Sequence, residues 1–444
     1  MNTLSKKNLL LVSLMLFSMF FGAGNLIFPP LLGQLSGSNM VLSLIGFLLS
    51  AVGLPIMAVA AVAKAGDLQS LASRVNKTFA LIFTILIYLS IGPLLGIPRA
   101  GSLAFEMGVS PFLPENLSGS FLPLFIYTLV YFSIAFWLSI NPGKLVDRFG
   151  KILTPTILVL IGIIFLGTLI KPIGDFSAPT LPYAEAPILK GFLDGYLTMD
   201  AIAALNFGIV IALVLKEMGI TSQKSLVSNT IKAGLLAGMF LTIIYGMLSY
   251  IGASSTARFG VLENGAMTLT KAVYYLFNDS GIIILGVIFS LACLTTSVGL
   301  ITSCSKYFNT LMPKISYRSF VTILSVSSMI SANVGLTKIL QISVPILNAI
   351  YPMAIVLIVL AFFHNFFKGY NTVYLFTMIF AAIFGILDAI NQLGIKVSFL
   401  SHMPLASKGL PWVVPAILGA LLGFLYSFIK ESYGKSILSE NIAE

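Results

Sequence analysis

Charge is scarce in this chain. Asp, Glu, Lys and Arg make up 9 % of its 444 residues, where a soluble domain carries roughly 25 %. That is too little to cover a water-facing surface of this size. It excludes a soluble enzyme, a disordered chain and a nucleic-acid-binding domain. Cysteine is scarcer still. Cys293 and Cys304 share one apolar segment, and eleven residues of helix hold them about 16 Å apart. A disulfide needs Cα atoms within about 7 Å, so no bridge joins them. The two histidines, His364 and His402, lie far apart and lack metal-ligand spacing. No G-x-x-x-x-G-K-[ST] stretch supports direct ATP drive.

What fills the chain is apolar: 58 % hydrophobic residues and a mean hydropathy of +1.01. The apolar runs are about 20 residues long, which suits membrane helices rather than the roughly 9–11-residue strands of an outer-membrane barrel. Twelve candidate helices emerge, near 8–34, 40–63, 79–104, 121–140, 152–170, 190–215, 225–252, 281–308, 320–335, 338–363, 371–393 and 411–430. Lys6 and Lys7 before Leu9–Phe21 resemble a signal peptide. The apolar stretch runs on to Leu32 without a small-residue cleavage site, so a retained first span is expected. The stretch 171–189 carries four prolines, and 253–280 has room for a short surface helix. Net charge is +10, and its distribution reads as topology. Sorted by alternate loops and span ends, 17 of the 25 Lys and Arg fall on one side. That side is cytoplasmic and holds both termini. Gly92/Gly96, Gly234/Gly238 and Gly419/Gly423 are small-residue pairs that let helices approach closely.

Three segments stand out. The first span contains Phe20-Phe21-Gly22-Ala23-Gly24-Asn25, then Leu26-Ile27-Phe28-Pro29-Pro30. Two glycines beside an Asn, followed by two prolines, do not favour a continuous helix. Gly22 lies about 21 Å along a helix entering near Asn8, well inside the slab. A break there frees N–H groups that can hold a carboxylate and carbonyls that can hold a cation. The same residues also fit a glycine-lined packing notch, with Asn25 capping the second half-helix. The sixth span places Asp200, in Leu197-Thr198-Met199-Asp200, about 15 Å deep. An ionisable group there costs at least ~2.5–3.5 kcal/mol on insertion scales. It meets a cation, a substrate ammonium or a proton, or else it is a protonated structural carboxylate. The eighth span carries Ala292-Cys293-Leu294-Thr295-Thr296-Ser297. Membrane hydroxyls usually bond to their own backbone. Beside an unwound segment, two adjacent ones complete an all-oxygen site for an alkali cation. Asp388 sits near the outer end of its span and reads as structural.

Counting five spans per unit, the interruptions in spans one and six correspond. Five is odd, so the second unit is inverted. Corresponding interruptions in two halves point to a transporter's binding site. The expected division is 1–189, 190–366 and a remainder, 367–444, with the last two helices and a cytoplasmic tail.

The run Phe20 to Pro30 resembles the signature of the bacterial branched-chain amino acid:cation symporters (the LIVCS family). Gly92-Pro93, Pro98-Arg99, Asn141-Pro142-Gly143-Lys144 and Asp147-Arg148 resemble further motifs of that family. The resemblance covers essentially the whole chain. It implies an all-α integral membrane protein of twelve helices, with a LeuT-type 5+5 inverted repeat plus two C-terminal helices. It implies import of leucine, isoleucine and valine across the cell membrane, driven by sodium through alternating access. No cofactor beyond the coupling ion, no nucleic acid and no obligatory protein partner is implied. Carried over by position, Gly22, Ala23, Gly24 and Asn25 resemble the carboxylate-binding turn. Ser18, Phe21, Ala292, Thr295 and Thr296 resemble the common sodium site, and Asn25 also corresponds to a ligand of a second one. Thr198, Met199 and Asp200 face the ammonium by a looser match. A proton-coupled carrier of another small zwitterion, with Asp200 as the proton carrier, is the alternative within this class. An integral-membrane enzyme is the alternative outside it, disfavoured by the two histidines and sparse buried carboxylates.

Overall fold

A computed structural model describes residues 4–114, 117 and 120–443. The described residues contain helices and no strands. Among them, nine helices are long and apolar enough to cross a membrane, or up to eleven if each of two sharply bent pairs is one span. The first apolar segment explains part of the gap from twelve. Its opening helix, α1 (Lys6–Phe20), has only 15 residues before the chain breaks. The chain forms two compact units. One comprises residues 4–64 and 88–341, the other 65–87 and 342 onward.

The first unit is built around two interrupted helices. α1 starts at Ser5, whose side chain accepts from Asn8 N–H, and stops at Phe21. Gly22 is extended (φ −121°, ψ −155°), and α2 (Ala23–Ser36) resumes. The second interruption lies between α3 (Pro187–Tyr196) and α4 (Asp200–Glu217), which are bent by 46°. No glycine makes this turn. Met199 does, in the left-handed region at φ 70°, where non-glycine residues are uncommon.

α2 lies in glycine notches on two long helices, α5 (Gln223–Phe259) and α6 (Gly265–Leu311). A Cβ on Gly252 would come 2.0 Å from the Pro30 carbonyl oxygen, and one on Gly265 would come 1.9 Å from that of Ile27. α2's own Gly33 meets Ser249 at 1.9 Å by the same construction. These are backbone contacts, which cannot swing away. Gly252→Val is therefore expected to eliminate folded protein, since overpacking costs about 1–3 kcal/mol even against mobile side chains. Gly162, with nothing within 4 Å of its Cβ position, is the control: Gly162→Ala should be neutral. The monodisperse fraction in size-exclusion chromatography reads both.

The stretch 253–280 is more regular than a loop. α5 runs on to Phe259, and α6 begins at Gly265 and turns at Asn278 (φ 53°, ψ −141°) before entering the apolar core. One further interruption matters for the site. Residues Ser90–Leu94 form a wide π turn in which Gly92 is non-helical and lies against Cys304. α7 (Gly96–Gly108) then continues with Arg99 inside it.

In the second unit, α8 (Asn371–Gln392) and α9 (Val413–Ala443) pack along the Gly419/Gly423 seam. Glycine at 423 brings the Thr372 carbonyl to 2.5 Å from where a Cβ would stand.

Candidate functional site

The two interruptions meet. A Cβ on Gly24 would lie 3.1 Å from Thr198 Cα and 3.3 Å from the Leu197 carbonyl oxygen. The start of α2 and the second turn therefore lie close together, and a side chain at 24 would press on the Thr198 backbone. Around the crossing is a cavity of about 40 Å³, lined by Gly22, Ala23, Gly24, Asn25, Thr198, Met199 and Asp200 among others. All seven residues expected at the substrate site thus share one cavity wall.

Asn25 organises the crossing. Its Oδ1 accepts from Gly22 N–H at 3.2 Å. Its Nδ2 donates to Asp200 Oδ2 at 2.5 Å and to the Tyr245 hydroxyl. Tyr245 in turn donates to Asp200 Oδ2 at 3.1 Å. Asn25, Tyr245 and Asp200 are 1 %, 0 % and 2 % exposed. A carboxylate so deep is tolerable only with such donors. Asp200 is also the first residue of α4, where the helix dipole favours a negative charge.

The Gly22–Asn25 bond has a second effect. In an unbroken helix Gly22 N–H would serve the Ser18 carbonyl. Diverted to Asn25, it leaves that carbonyl to α6. Thr295 Oγ1 donates to Ser18 O at 2.8 Å and to Ala292 O at 3.0 Å, and Thr296 Oγ1 reaches Ser18 O at 3.5 Å. Thr296 Oγ1 also stands 2.7 Å from where a Gly22 Cβ would be. Ser18, Ala292, Thr295 and Thr296 are thus joined by hydrogen bonds, and Phe21, buried, ends α1 beside them. This is a cluster of neutral oxygens at one edge of the cavity. Among the described residues no group of three or more His, Cys, Asp or Glu is placed to hold a metal.

Two residues of the site were not assigned to it from the sequence: Tyr245, bonded to Asn25 and Asp200, and Arg99, on the cavity wall and singled out in the sequence only as part of a motif. Tyr245 looks like any aromatic in an apolar span. Arg99 was counted among loop and span-end charges, and the structure corrects that. The wide turn at Ser90–Leu94 carries α7 on to Gly108, so Arg99 lies inside the helix and is 6 % exposed.

A family model described as "Branched-chain amino acid transport protein" matches residues 5–430. The chain belongs to that family. It is 45 % identical over 433 residues to the branched-chain amino acid permease BrnQ of Bacillus subtilis, covering 96 % of this chain and 98 % of that one. It is 39 % identical to the branched-chain amino acid transport system 2 carrier protein of Pseudomonas aeruginosa (94 % and 95 % covered). With BrnQ of Escherichia coli K12 the identity is 38 % (95 % and 96 %). The family and these relatives are transporters, not enzymes. Two solved structures share the fold at low identity. Mhp1, a nucleobase-cation-symport-1 family transporter closed on bromovinylhydantoin, aligns with a TM-score of 0.60 at 13 % identity, covering 96 % of this chain and 93 % of that one. MhsT in complex with L-phenylalanine gives 0.55 at 16 % (96 % and 98 %). This family member is therefore a multi-pass membrane protein whose all-helical fold is like that of these two structures.

Proposed function

We propose that this transporter imports leucine, isoleucine and valine across the bacterial cytoplasmic membrane in symport with sodium, both termini being cytoplasmic. It does so by alternating access through twelve helices. The proposed division is an inverted pair of five-helix repeats, 1–189 and 190–366, followed by 367–444. The observation that carries the reading is the crossing of two interrupted helices at a buried cavity with a neutral oxygen cluster beside it. The relatives' names supply the substrate class.

In this reading the substrate carboxylate lies against the turn Gly22 to Asn25, on the first N–H groups of α2 rather than on Gly22 N–H, which Asn25 holds, where the dipole favours an anion. The ammonium faces Thr198, Met199 and Asp200. Sodium takes the carbonyl oxygens of Ser18, Phe21 and Ala292 and the hydroxyls of Thr295 and Thr296. Neutral oxygens in that number suit a hard monovalent cation. About 40 Å³ is room for only a few waters, so the walls must part to admit a leucine. Sodium favours the open state only by binding it more tightly than the closed one.

Competition tests the substrate class. A one-methylene difference in an apolar pocket discriminates by about 1–3 kcal/mol. Excess isoleucine and valine should therefore each suppress uptake of labelled leucine, within roughly 200-fold of leucine's own potency, and glutamate and arginine should not. Leucine uptake indifferent to isoleucine and valine would contradict the reading. A second reading, proton coupling through Asp200, draws on the burial of that carboxylate in the cavity wall.

A further inference from the structure

We infer that Arg99 is a substrate-binding residue that takes the amino acid's carboxylate jointly with the α2 N-terminus. The inference deepens the reading above and rests on it. Arg99 is 6 % exposed and lines two cavities at once. One is the cavity of about 40 Å³ at the helix crossing. The other, of about 610 Å³, extends past Phe28 to Glu106 and Lys271. Lys271 is exposed, so the larger cavity reaches the surface. Its volume falls in the range of small-molecule sites, and its walls are largely apolar.

A guanidinium has five N–H donors and no acceptor. Among the described residues Arg99 uses Nη1 alone, on the Met199 thioether sulfur at 2.9 Å, a weak acceptor. It also lies over the Phe28 ring, 5.7 Å from Cζ, and interacts electrostatically with Asp200 and Cys293. No carboxylate lies within ion-pair distance of it among the described residues. Among the described residues no oxygen accepts from this buried cation; Asp200 acts on it only at longer range, so the fork has no bidentate partner. A carboxylate fits the planar fork bidentately, and one crossing from the larger cavity to the smaller passes this group. Within the smaller cavity, Arg99 and Asp200 give the walls one cation and one anion, matching the two charges of a zwitterion. Met199, at φ 70° in the turn just before Asp200, accepts from Arg99 through its sulfur and so links the cation to the second interruption.

The test is equilibrium binding to the purified full-length protein, with labelled leucine displaced by leucine or by leucinamide, whose carboxylate is a neutral amide. Arg99→Gln should weaken leucine by about 30-fold or more, the loss of a charge-assisted pair. Leucinamide should stay within about threefold of its wild-type affinity, measured with labelled leucinamide as the tracer. Arg99→Lys, which keeps the charge and loses the fork, should fall between. Equal weakening of both ligands, or unchanged leucine binding, overturns the inference. Should Arg99→Gln bind neither ligand, Arg99→Lys decides: a leucine-to-leucinamide ratio equal to that of the wild type overturns it. A wild-type protein that binds neither leucine, isoleucine nor valine instead removes the substrate reading beneath.

Discussion

Asp200→Asn is expected to abolish leucine uptake, lowering it about a hundredfold or more with the protein still folded. The carboxylate accepts from both Asn25 and Tyr245. Both bonds fall on Oδ2; an amide oxygen there still accepts them but without the charge that strengthens them, and the substrate ammonium loses its anion. Breaking a buried charged network by removing one partner costs about 3–5 kcal/mol, and every 1.4 kcal/mol is about tenfold. The loss reaches past Asp200 itself. Asn25 also holds Gly22 N–H, so loosening Asn25 permits the first helix to close over its break and reclaim the Ser18 carbonyl. Asp200→Asn should therefore weaken sodium dependence together with leucine affinity. Asp200→Glu keeps the acceptors on a longer arm and should retain part of the activity. Wild-type uptake and pH dependence in Asp200→Asn would remove this carboxylate from the mechanism.

The second large effect falls on the oxygen cluster. Thr295→Ala and Thr296→Ala should each raise the sodium concentration for half-maximal uptake by roughly ten- to a hundredfold. Each removes one polar contact to a cation, worth about 1.5–3 kcal/mol. At saturating sodium the leucine KM should return near the wild-type value, because the cluster touches the cavity only at its edge. Thr295→Ser retains the hydroxyl and should be nearly silent. Thr295 is the more informative position, since its hydroxyl already bridges Ser18 and Ala292. An unchanged sodium response in both alanine variants would sink the assignment.

How much of this was legible in the sequence differs from residue to residue. The first interruption was, because Gly-Ala-Gly-Asn before Pro-Pro opposes a helix by its own chemistry. The second was only half visible. Asp200 drew notice as a deep charge, but Leu197-Thr198-Met199 contains no breaker, and the turn is made by a methionine in the left-handed region. The packing around it imposes that conformation, and no local pattern encodes it. The meeting of the two was legible only by analogy, from their corresponding places in the chain. Tyr245, 220 residues from Asn25, carries no local mark of the bond it makes. Arg99 was visible as a residue and misplaced as a charge, because a wide π turn upstream shifts where the helix ends.

The measurement that tests the account most directly is accumulation of labelled leucine in proteoliposomes of the purified protein, with and without an inward sodium gradient at fixed pH, in the presence of a protonophore. Concentrative uptake that requires the sodium gradient and survives the protonophore is the predicted result. Uptake that ignores sodium and collapses with the protonophore would contradict sodium coupling and shift the driving ion to the proton.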